Sequence, residues 1–215
     1  MYDFENIQGN LYGTPSSKRS GSKGSRAELE THFREVPAHI KAELQAGNLR
    51  LGDTMIYSIR QVGTSTTVKM FLTQDDKETG LRNVSKAKLE KNQALMVSGI
   101  FLLAGEAQAQ TPGSPTKDEL KATEFRSLDA PGFAAIANGE FSLDANKVTI
   151  VPPTSMRVFC TANNHNSPAG FYKLHNPRLI QDDVLLEATL ELGTTQNLPQ
   201  DTVIYLGLYG TVTTP

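Results

Sequence analysis

Cysteine and tryptophan are almost missing from this chain of 215 residues, which has one cysteine, Cys160, and no tryptophan. A single thiol cannot form an internal disulfide and cannot supply the several ligands of a cysteine zinc site. Within the stretch MRVFCT we expect Cys160 to be a small core residue, because free cysteine is among the most buried residue types. The sequence therefore excludes a disulfide framework and a multi-cysteine metal site.

An excess of charge is also missing, since 21 Lys and Arg stand against 23 Asp and Glu, for a formal net charge of −2. Such a chain is not drawn as a whole to nucleic acid or to an anionic membrane, so any contact with a polyanion must be local. No stretch reaches the roughly 18 apolar residues of a membrane span. The nearest one, ALMVSGIFLLAGEAQAQ, begins at residue 94 and is predicted to be a buried strand followed by a loop.

Strong strand patterns lie at the C-terminal end of the sequence. Over 184–192 apolar residues alternate with mostly polar ones, which predicts a half-buried strand. After a loop at 193–201, the run TVIYLGLYGTV at 202–212 is apolar on both faces. A strand that is apolar on both faces is expected in the middle of a sheet, so the fold should close only when this run arrives.

Earlier runs of the same kind bring the predicted total to about eight strands. They are 49–62, 66–73 and 93–103, two or three short strands among 133–143, 147–151 and 156–161, and a short strand at 171–174. No helix is predicted between consecutive strands, apart from a small piece within 114–125. This order favours an all-β domain over 48–215, built as an antiparallel β-sandwich or jelly roll, and disfavours a parallel α/β sheet.

Residues 25–47 have a helical period instead. Ser25 and Glu28 have the spacing of a capping box, and an apolar stripe follows at three- and four-residue steps. The stripe consists of Leu29, Phe33, Val36, Ile40 and Leu44. Pro37 should divide the segment into two short helices, and Gly47 should end it.

Residues 1–24 are predicted to form a flexible, partly basic arm, because 13–25 consists almost entirely of Gly, Ser, Pro and cations. Its cations Lys18, Arg19 and Lys23, with Arg26, could make weak non-specific contacts with nucleic acid, or the stretch could be a solvated linker. The apolar residues before it, Tyr2, Phe4, Ile7, Leu11 and Tyr12, are interpreted as an assembly arm that docks on a neighbouring subunit. We expect residues 1–46 to mediate assembly and to contribute little to the stability of the β domain.

No group of residues has the pattern of a catalytic, cofactor or metal site. The sequence contains no G-x-S-x-G elbow and no Gly-rich phosphate loop followed by Lys-Ser/Thr. His165 and His175 are ten residues apart in predicted loops, and His32 and His39 are seven apart, so these histidines are expected on the surface or in packing contacts. The carboxylate pairs Asp75/Asp76 and Asp182/Asp183 are interpreted as charged turns. We therefore expect a protein that is not an enzyme.

The loop NNHN at 163–166 could hydrogen-bond a sugar, or it could be an Asx-rich turn. A non-enzymatic carbohydrate-binding or adhesion module is therefore the alternative function. The absence of tryptophan speaks against it, since such sites usually present exposed aromatic side chains.

The order of elements, with a basic arm, a leading helix, eight strands, long loops and the closing run DTVIYLGLYGTV, resembles the jelly-roll capsid proteins of tailless icosahedral viruses of the bacteriophage type. The stretches KNQALMVSGIFLL and NPRLIQDDVLLEATLEL, followed by LPQDTVIYLGLYG, are similar to strands of those proteins. The resemblance covers residues 49–213. That length suffices for one barrel and not for two.

This resemblance implies a single eight-stranded antiparallel jelly roll and a viral structural protein, either a coat or a vertex subunit. Such a subunit would be made in the host cytoplasm and found in the virion. Its partners would be copies of itself, in a pentamer, a trimer or a larger shell, and other virion proteins. It transfers no catalytic residue and no cofactor. The order of strands in a jelly roll also predicts that 49–62 pairs antiparallel with 202–212, and 66–73 with 184–192.

Overall fold

The computed structural model describes residues 29–161 and 168–215, and these are mostly β, arranged in two antiparallel sheets packed face to face. The strands in this part of the chain are β1 (Arg50–Gln61), β2 (Thr67–Lys69), β3 (Leu95–Glu106), β4 (Phe125–Arg126), β5 (Glu140–Ala145), β6 (Val148–Ser155), β7 (Phe171–Ile180), β8 (Leu186–Glu191) and β9 (Thr202–Thr214). The helices are α1 (Ala38–Gln45), α2 (Lys117–Lys121) and α3 (Ala134–Ala137), with 3₁₀ turns at Phe33–Glu35 and Met156–Phe159. These bounds give nine strands among the described residues, one of them only two residues long.

The first sheet has the order β1-β9-β3, and both β4 and β7 pair with the free side of β3. The second sheet has the order β2-β8-β5-β6. Every pairing in both sheets is antiparallel.

Both predicted long-range pairings are confirmed. β1 pairs with β9 from Arg50↔Thr214 to Gln61↔Val203, and β2 pairs with β8 from Thr67↔Glu191 to Lys69↔Thr189. The last strand lies between β1 and β3 and is buried along nearly its whole length, as its two apolar faces predicted. β8 alternates as predicted. Leu186, Ala188 and Leu190 are buried, while Glu187 and Glu191 are exposed.

The main core fills the space between the two sheets. It is formed by inward-facing residues of both sheets, such as Leu102, Leu206 and Leu208 from the first and Phe141 and Leu190 from the second. All five are fully buried. Burial of such side chains stabilises a fold by roughly 1.5 to 3 kcal/mol each, so this layer is the main source of stability.

Two predicted strands are wrong in type. The first half of 133–143 is helix α3, because Phe133, Ile136 and Ala137 are the buried residues and they have helical spacing. The stretch 156–161 is a 3₁₀ turn, in which Met156 and Phe159, three residues apart, are both buried. Short apolar runs fit a helical turn as well as a strand, so the tertiary contacts decide.

Other strands differ from prediction in length. β2 has three residues, whereas β7 continues well beyond the predicted 171–174 to Ile180. β6 runs through Pro152 and Pro153, beyond the predicted end of this strand at residue 151. Proline is tolerated there because β6 is an outer strand and because both prolines fall in an irregularity of its pairing with β5, between Phe141↔Thr154 and Leu143↔Val151.

The helical segment is divided as predicted. Residues 29–31 are helical, a 3₁₀ turn follows, and α1 begins directly after Pro37. Its end is a Schellman motif: Gly47 has φ +78°, and the backbone N–H groups of Gly47 and Asn48 donate to Leu44 and Glu43.

The open edge of β1 is covered by residues 81–83. Ile59 N–H donates to Leu81 O at 2.8 Å. The Asn83 side chain accepts from Tyr57 N–H and donates to Met55 O, both at 2.8 Å. A side-chain amide therefore occupies the hydrogen-bonding groups that a neighbouring strand would use.

The other outer strands are interrupted or short. β2 has only three residues, and β6 contains two prolines. In β7, Arg178 pairs with Val97 and Lys173 with Gly99, so residues 174–177, including Pro177, bulge opposite Ser98. Short strands, prolines and bulges all weaken an edge as a template for a further strand.

Gly210 marks the closest approach of β9 and β3. A Cβ there would lie 1.8 Å from the Met96 carbonyl oxygen, beside the bulge that shifts β3 between Val97 and Gly99. Only glycine lets the two backbones come so close.

We expect Gly210→Ala to lower the free energy of unfolding by about 3 kcal/mol, because the backbone of β3 must move to admit the methyl group. Gly193→Ala is the matched control, since its Cβ would meet nothing within 4 Å, and it should change stability by no more than about 0.5 kcal/mol. Urea unfolding of both variants measures the difference. Equal stabilities would contradict the close approach.

Candidate interaction surface

The outer face of the first sheet carries a band of large apolar side chains, here named the aromatic strip. Alternation along β1, β3 and β9 directs Ile56, Leu102 and Leu206 into the core and their neighbours outward. The outward residues, joined by one from β7, are each partly exposed: Met55, Tyr57, Phe101, Leu103, Phe171, Tyr205 and Tyr209. Apolar side chains of this size on an outer sheet face are a feature of interaction surfaces.

Neighbouring strands place these side chains in contact. Phe101 and Phe171 are cross-strand partners with ring centroids 4.7 Å apart, and Phe171 meets Tyr209 edge-on at 6.4 Å. Tyr57 and Tyr205 are stacked, with centroids 6.0 Å apart and an interplanar angle of 11°. The edge-on and the stacked arrangement are both favourable aromatic geometries.

Glycines allow the strip to lie flat against the sheet. A Cβ at Gly99 would be 2.3 Å from the Phe171 ring, and one at Gly207 would be 2.5 Å from Met55 Sδ. Phe171 and Met55 therefore rest directly on backbone, and the surface is broad and low instead of ridged.

One end of the strip is covered by the helical segment. Leu29, Val36 and Ile40 are buried against Leu49, Ala94 and Met96 in a second core cluster. Phe33 and Leu44, the rest of the predicted stripe, are partly buried beside it. Removing residues 29–46 would expose a packed apolar cluster, which argues against the expectation that residues 1–46 contribute little to stability.

The other end is covered by the segment between β3 and β4. Ala107 packs there with Ile59, Leu81 and Val203, and Leu120, Phe125 and Tyr205 lie partly buried around them. Helix α2, predicted within 114–125, begins at a Thr116–Glu119 capping box. Hydrogen bonds from Lys117 and Lys121 hold the pKa of Glu78 below its usual value and tie this helix to the turn at 78–82, which is hydrogen-bonded to the cover of β1.

The Tyr205 hydroxyl sits at the base of the strip. It donates to Met55 Sδ at 3.0 Å. Burial, and to a lesser extent neighbouring Tyr57, raises the pKa of Tyr205. The phenol therefore stays neutral throughout the physiological range, and the strip presents no charge at this point.

The outer face of the second sheet is charged. Glu140 lies opposite Glu191, and Asp144 opposite Glu187, on the paired strands β5 and β8. Directly opposed like charges are destabilising, so four carboxylates on one face must be well solvated. The two outer faces of the sandwich therefore differ, one aromatic and the other acidic.

The predicted assembly residues Tyr2, Phe4, Ile7, Leu11 and Tyr12 and the predicted polyanion contacts Lys18, Arg19, Lys23 and Arg26 lie outside the described residues, as do His165 and the loop 163–166. The structure does describe His175, which is exposed within strand β7 and not in a loop. His32 and His39 do not meet each other. His32 lies 2.8 Å from Glu35, and His39 lies 3.0 Å from Asp182.

Asp75 is not the solvated turn carboxylate that the sequence suggested. Its side chain is only 17% exposed, Arg60 Nη2 donates to its Oδ2, and Arg82 Nη1 lies 3.7 Å from its Oδ1. Asp76, by contrast, is exposed. Sequence reasoning missed this ion pair because the partners come from β1 and from the cover of its edge, which adjacency in sequence does not reveal.

Asp182 fastens the helical segment to the sandwich. Its Oδ2 accepts a hydrogen bond from Asn92 N–H at 2.9 Å and lies 3.0 Å from His39 Nε2 of α1. Burial raises the pKa of Asp182, but the hydrogen bonds from Asn92 and His39 together outweigh it and lower the pKa below its ordinary value. The other member of the pair, Asp183, has φ +57° and an exposed side chain paired with Lys88, as a turn residue does.

Cys160 is partly buried and packs against the main core, where burial raises the pKa of its thiol. Among residues 29–161 and 168–215, no three His, Cys, Asp or Glu side chains come close enough to hold a metal ion. No helix in this same part of the chain is long and apolar enough to cross a membrane. Comparison with models of known protein families gives no match, and no curated protein is significantly similar in sequence.

We expect Asp75→Asn to destabilise the protein by about 2 kcal/mol, because it leaves two partly buried guanidinium groups without their carboxylate. Asp76→Asn is the matched control and should change stability by no more than about 0.5 kcal/mol. Urea unfolding at neutral pH measures both. If the two variants behave alike, Asp75 is a surface charge after all.

The lowered pKa of Asp182 determines how this carboxyl group makes stability depend on pH. A carboxyl group whose pKa is lower in the folded state stabilises the fold above the unfolded-state pKa, about 4, and loses that contribution as the pH falls through the folded-state pKa. Asp182→Asn should therefore reduce stability at pH 7 and flatten its loss below pH about 4. Asp183→Asn, at an exposed side chain, is the matched control and should change stability at pH 7 by no more than about 0.5 kcal/mol. Denaturant unfolding across this pH range tests it. Identical profiles for the wild-type chain and Asp182→Asn would rule out the role of Asp182.

Proposed function

We propose that the chain is a structural protein of an icosahedral virus, a coat or vertex subunit with a jelly-roll fold. The observation that carries this proposal is the nesting of strand pairs. In a jelly roll the first strand pairs with the last, the second with the next to last, and so on inward. The pairs β1/β9, β2/β8, β3/β7 and β5/β6 follow this order, with the two-residue β4 as an addition to β3.

A fold alone does not define a function, so the role in a virion needs further support. The resemblance of 49–213 to jelly-roll capsid proteins is one source. The aromatic strip is another, because a subunit that assembles must present apolar surface to a partner.

The partners in this proposal are copies of the same chain, in a pentamer, trimer or larger shell, with other virion proteins. Lys18, Arg19, Lys23 and Arg26 would add weak, salt-sensitive contacts with nucleic acid in an otherwise slightly acidic protein. Catalysis has no part in it.

The aromatic strip also bears on the alternative function. Stacked Tyr57 and Tyr205 provide an aromatic surface of the kind that carbohydrate-binding modules use, without tryptophan. A sugar-binding module would be a monomer or small oligomer whose ligand rests on this strip.

Negative-stain microscopy and light scattering of the purified chain test the proposal. We expect rings, pentamers or shells, and we expect a chain lacking residues 1–24 to keep the β-rich circular dichroism spectrum but to lose the larger assemblies. A monodisperse monomer at every concentration would overturn the capsid function. Glycan binding by that monomer, lost on Tyr57→Ala, would support the alternative instead.

A further inference from the structure

We propose that residues 2–12 bind the aromatic strip of their own barrel and cover it in the free subunit. The proposal names an occupant for the one long apolar stretch on the outer face of the first sheet that the described residues leave partly exposed. It does not depend on the function proposed above.

The aromatic strip lies between two covered ends of the outer sheet face. The helical segment buries Met96 and packs on Leu51 and Leu179 at one end, and the segment around Ala107 covers Ile59 and Val203 at the other. Between these ends, Phe101, Leu103, Phe171 and Tyr209 belong to none of the three buried clusters, and neither do Met55 and Tyr57. The outer face of this sheet is thus covered at both ends and open in its middle.

The described part of the chain starts next to the open middle of the aromatic strip. Leu29 is fully buried at the covered end beside Met96, on the same outer face as the strip. The 28 residues that precede it are therefore attached next to the open stretch. Residues 162–167, which also lie outside the described part, read ANNHNS and offer a single alanine as apolar surface.

Residues 2–12 match the aromatic strip in chemistry, and their connection to the barrel is long enough to reach it. Residues 2–12 contain Tyr2, Phe4, Ile7, Leu11 and Tyr12, whereas the rest of the arm is polar. Along β3, the distance from Met96 at the covered end to Leu103 in the strip is about 24 Å at the usual rise of a strand. The 16 residues between Tyr12 and Leu29 span on the order of 22 Å as a flexible coil and at most about 55 Å extended, so the segment reaches any part of the strip.

Because residues 2–12 are joined covalently to their own barrel, binding to that barrel is favoured over binding to a neighbour's. A short flexible connection holds a binding segment at a local concentration in the millimolar range, well above that of other copies in dilute solution. In an assembly the identical contact can be exchanged between copies, as in domain swapping. Docking on a neighbour, as expected from the sequence, would then follow from docking on the own barrel.

The experiment uses the full chain and its methionine methyl groups as reporters. Met55 lies in the strip, whereas Met70 and Met156 are fully buried in the core between the sheets. A nitroxide label is attached at Gln8→Cys in a Cys160→Ser background, and methionine is enriched with ¹³C at its methyl group. We expect the Met55 signal to lose much more intensity than those of Met70 and Met156, and to regain it when the label is reduced.

A variant of the segment alone supplies the control, because it leaves the barrel sequence unchanged. With Phe4→Ser, Ile7→Ser and Leu11→Ser added, the label at residue 8 should spare Met55. A label at Thr189→Cys, on the outer face of the second sheet, should affect Met70 and Met156 more than Met55. Unchanged chemical shifts of Met70 and Met156 verify that each variant is folded.

Two results would overturn the proposal. Weak and equal losses at all three methyl groups would mean that residues 2–12 are not docked on the strip. Loss at Met55 only in a mixture, where the label and the ¹³C are on different chains, would mean that the segment belongs to another copy. Rings or shells under the microscope combined with either result would sink this inference while leaving the proposed function standing.

Discussion

The insertion of β9 between β1 and β3 is the constraint on which the rest of the structure depends. Both neighbours of β9 come from the first half of the described chain, so the first sheet is not continuous until the C-terminal strand is in place. Its register at Gly210 also fixes the bulge in β3. Because these contacts are distant in sequence, we expect slow folding, limited by long-range pairing.

The central position of β9 also produces the aromatic strip. A strand paired on both sides must be apolar toward the core, yet Tyr205 and Tyr209 point the other way. They lie beside Met55 of β1 and Phe101 of β3, and Phe171 of β7 contacts Tyr209. The second sheet has charged outward residues instead, with four carboxylates in opposed pairs. The two sheets thus share one core but have outer faces of opposite character, one aromatic and the other acidic.

Strand periodicity predicted the all-β class and the buried position of the last strand, because alternation and apolar residues on both faces are local signals. The pairing of the first and last strands was predicted instead from the order of strands in a jelly roll. Asp75 with Arg60, and His39 with Asp182, could not be predicted in this way, since only the folded chain brings these partners together. The aromatic strip had a partial signal in the sequence, namely TVIYLGLYG, in which Tyr205, Gly207 and Tyr209 alternate on one face. What periodicity could not supply was the set of neighbouring strands that completes it.

The interrupted edges restrict how copies of this chain can meet. Asn83 occupies the edge of β1, prolines interrupt β6, and a bulge distorts β7. In the part of the chain that the structure describes, no outer strand therefore offers an uninterrupted ladder to a second molecule. Growth by adding sheet to sheet, which would produce open-ended fibrils, is therefore disfavoured. Association is left to side chains on faces and loops, whose geometry can close on itself at a fixed number of copies.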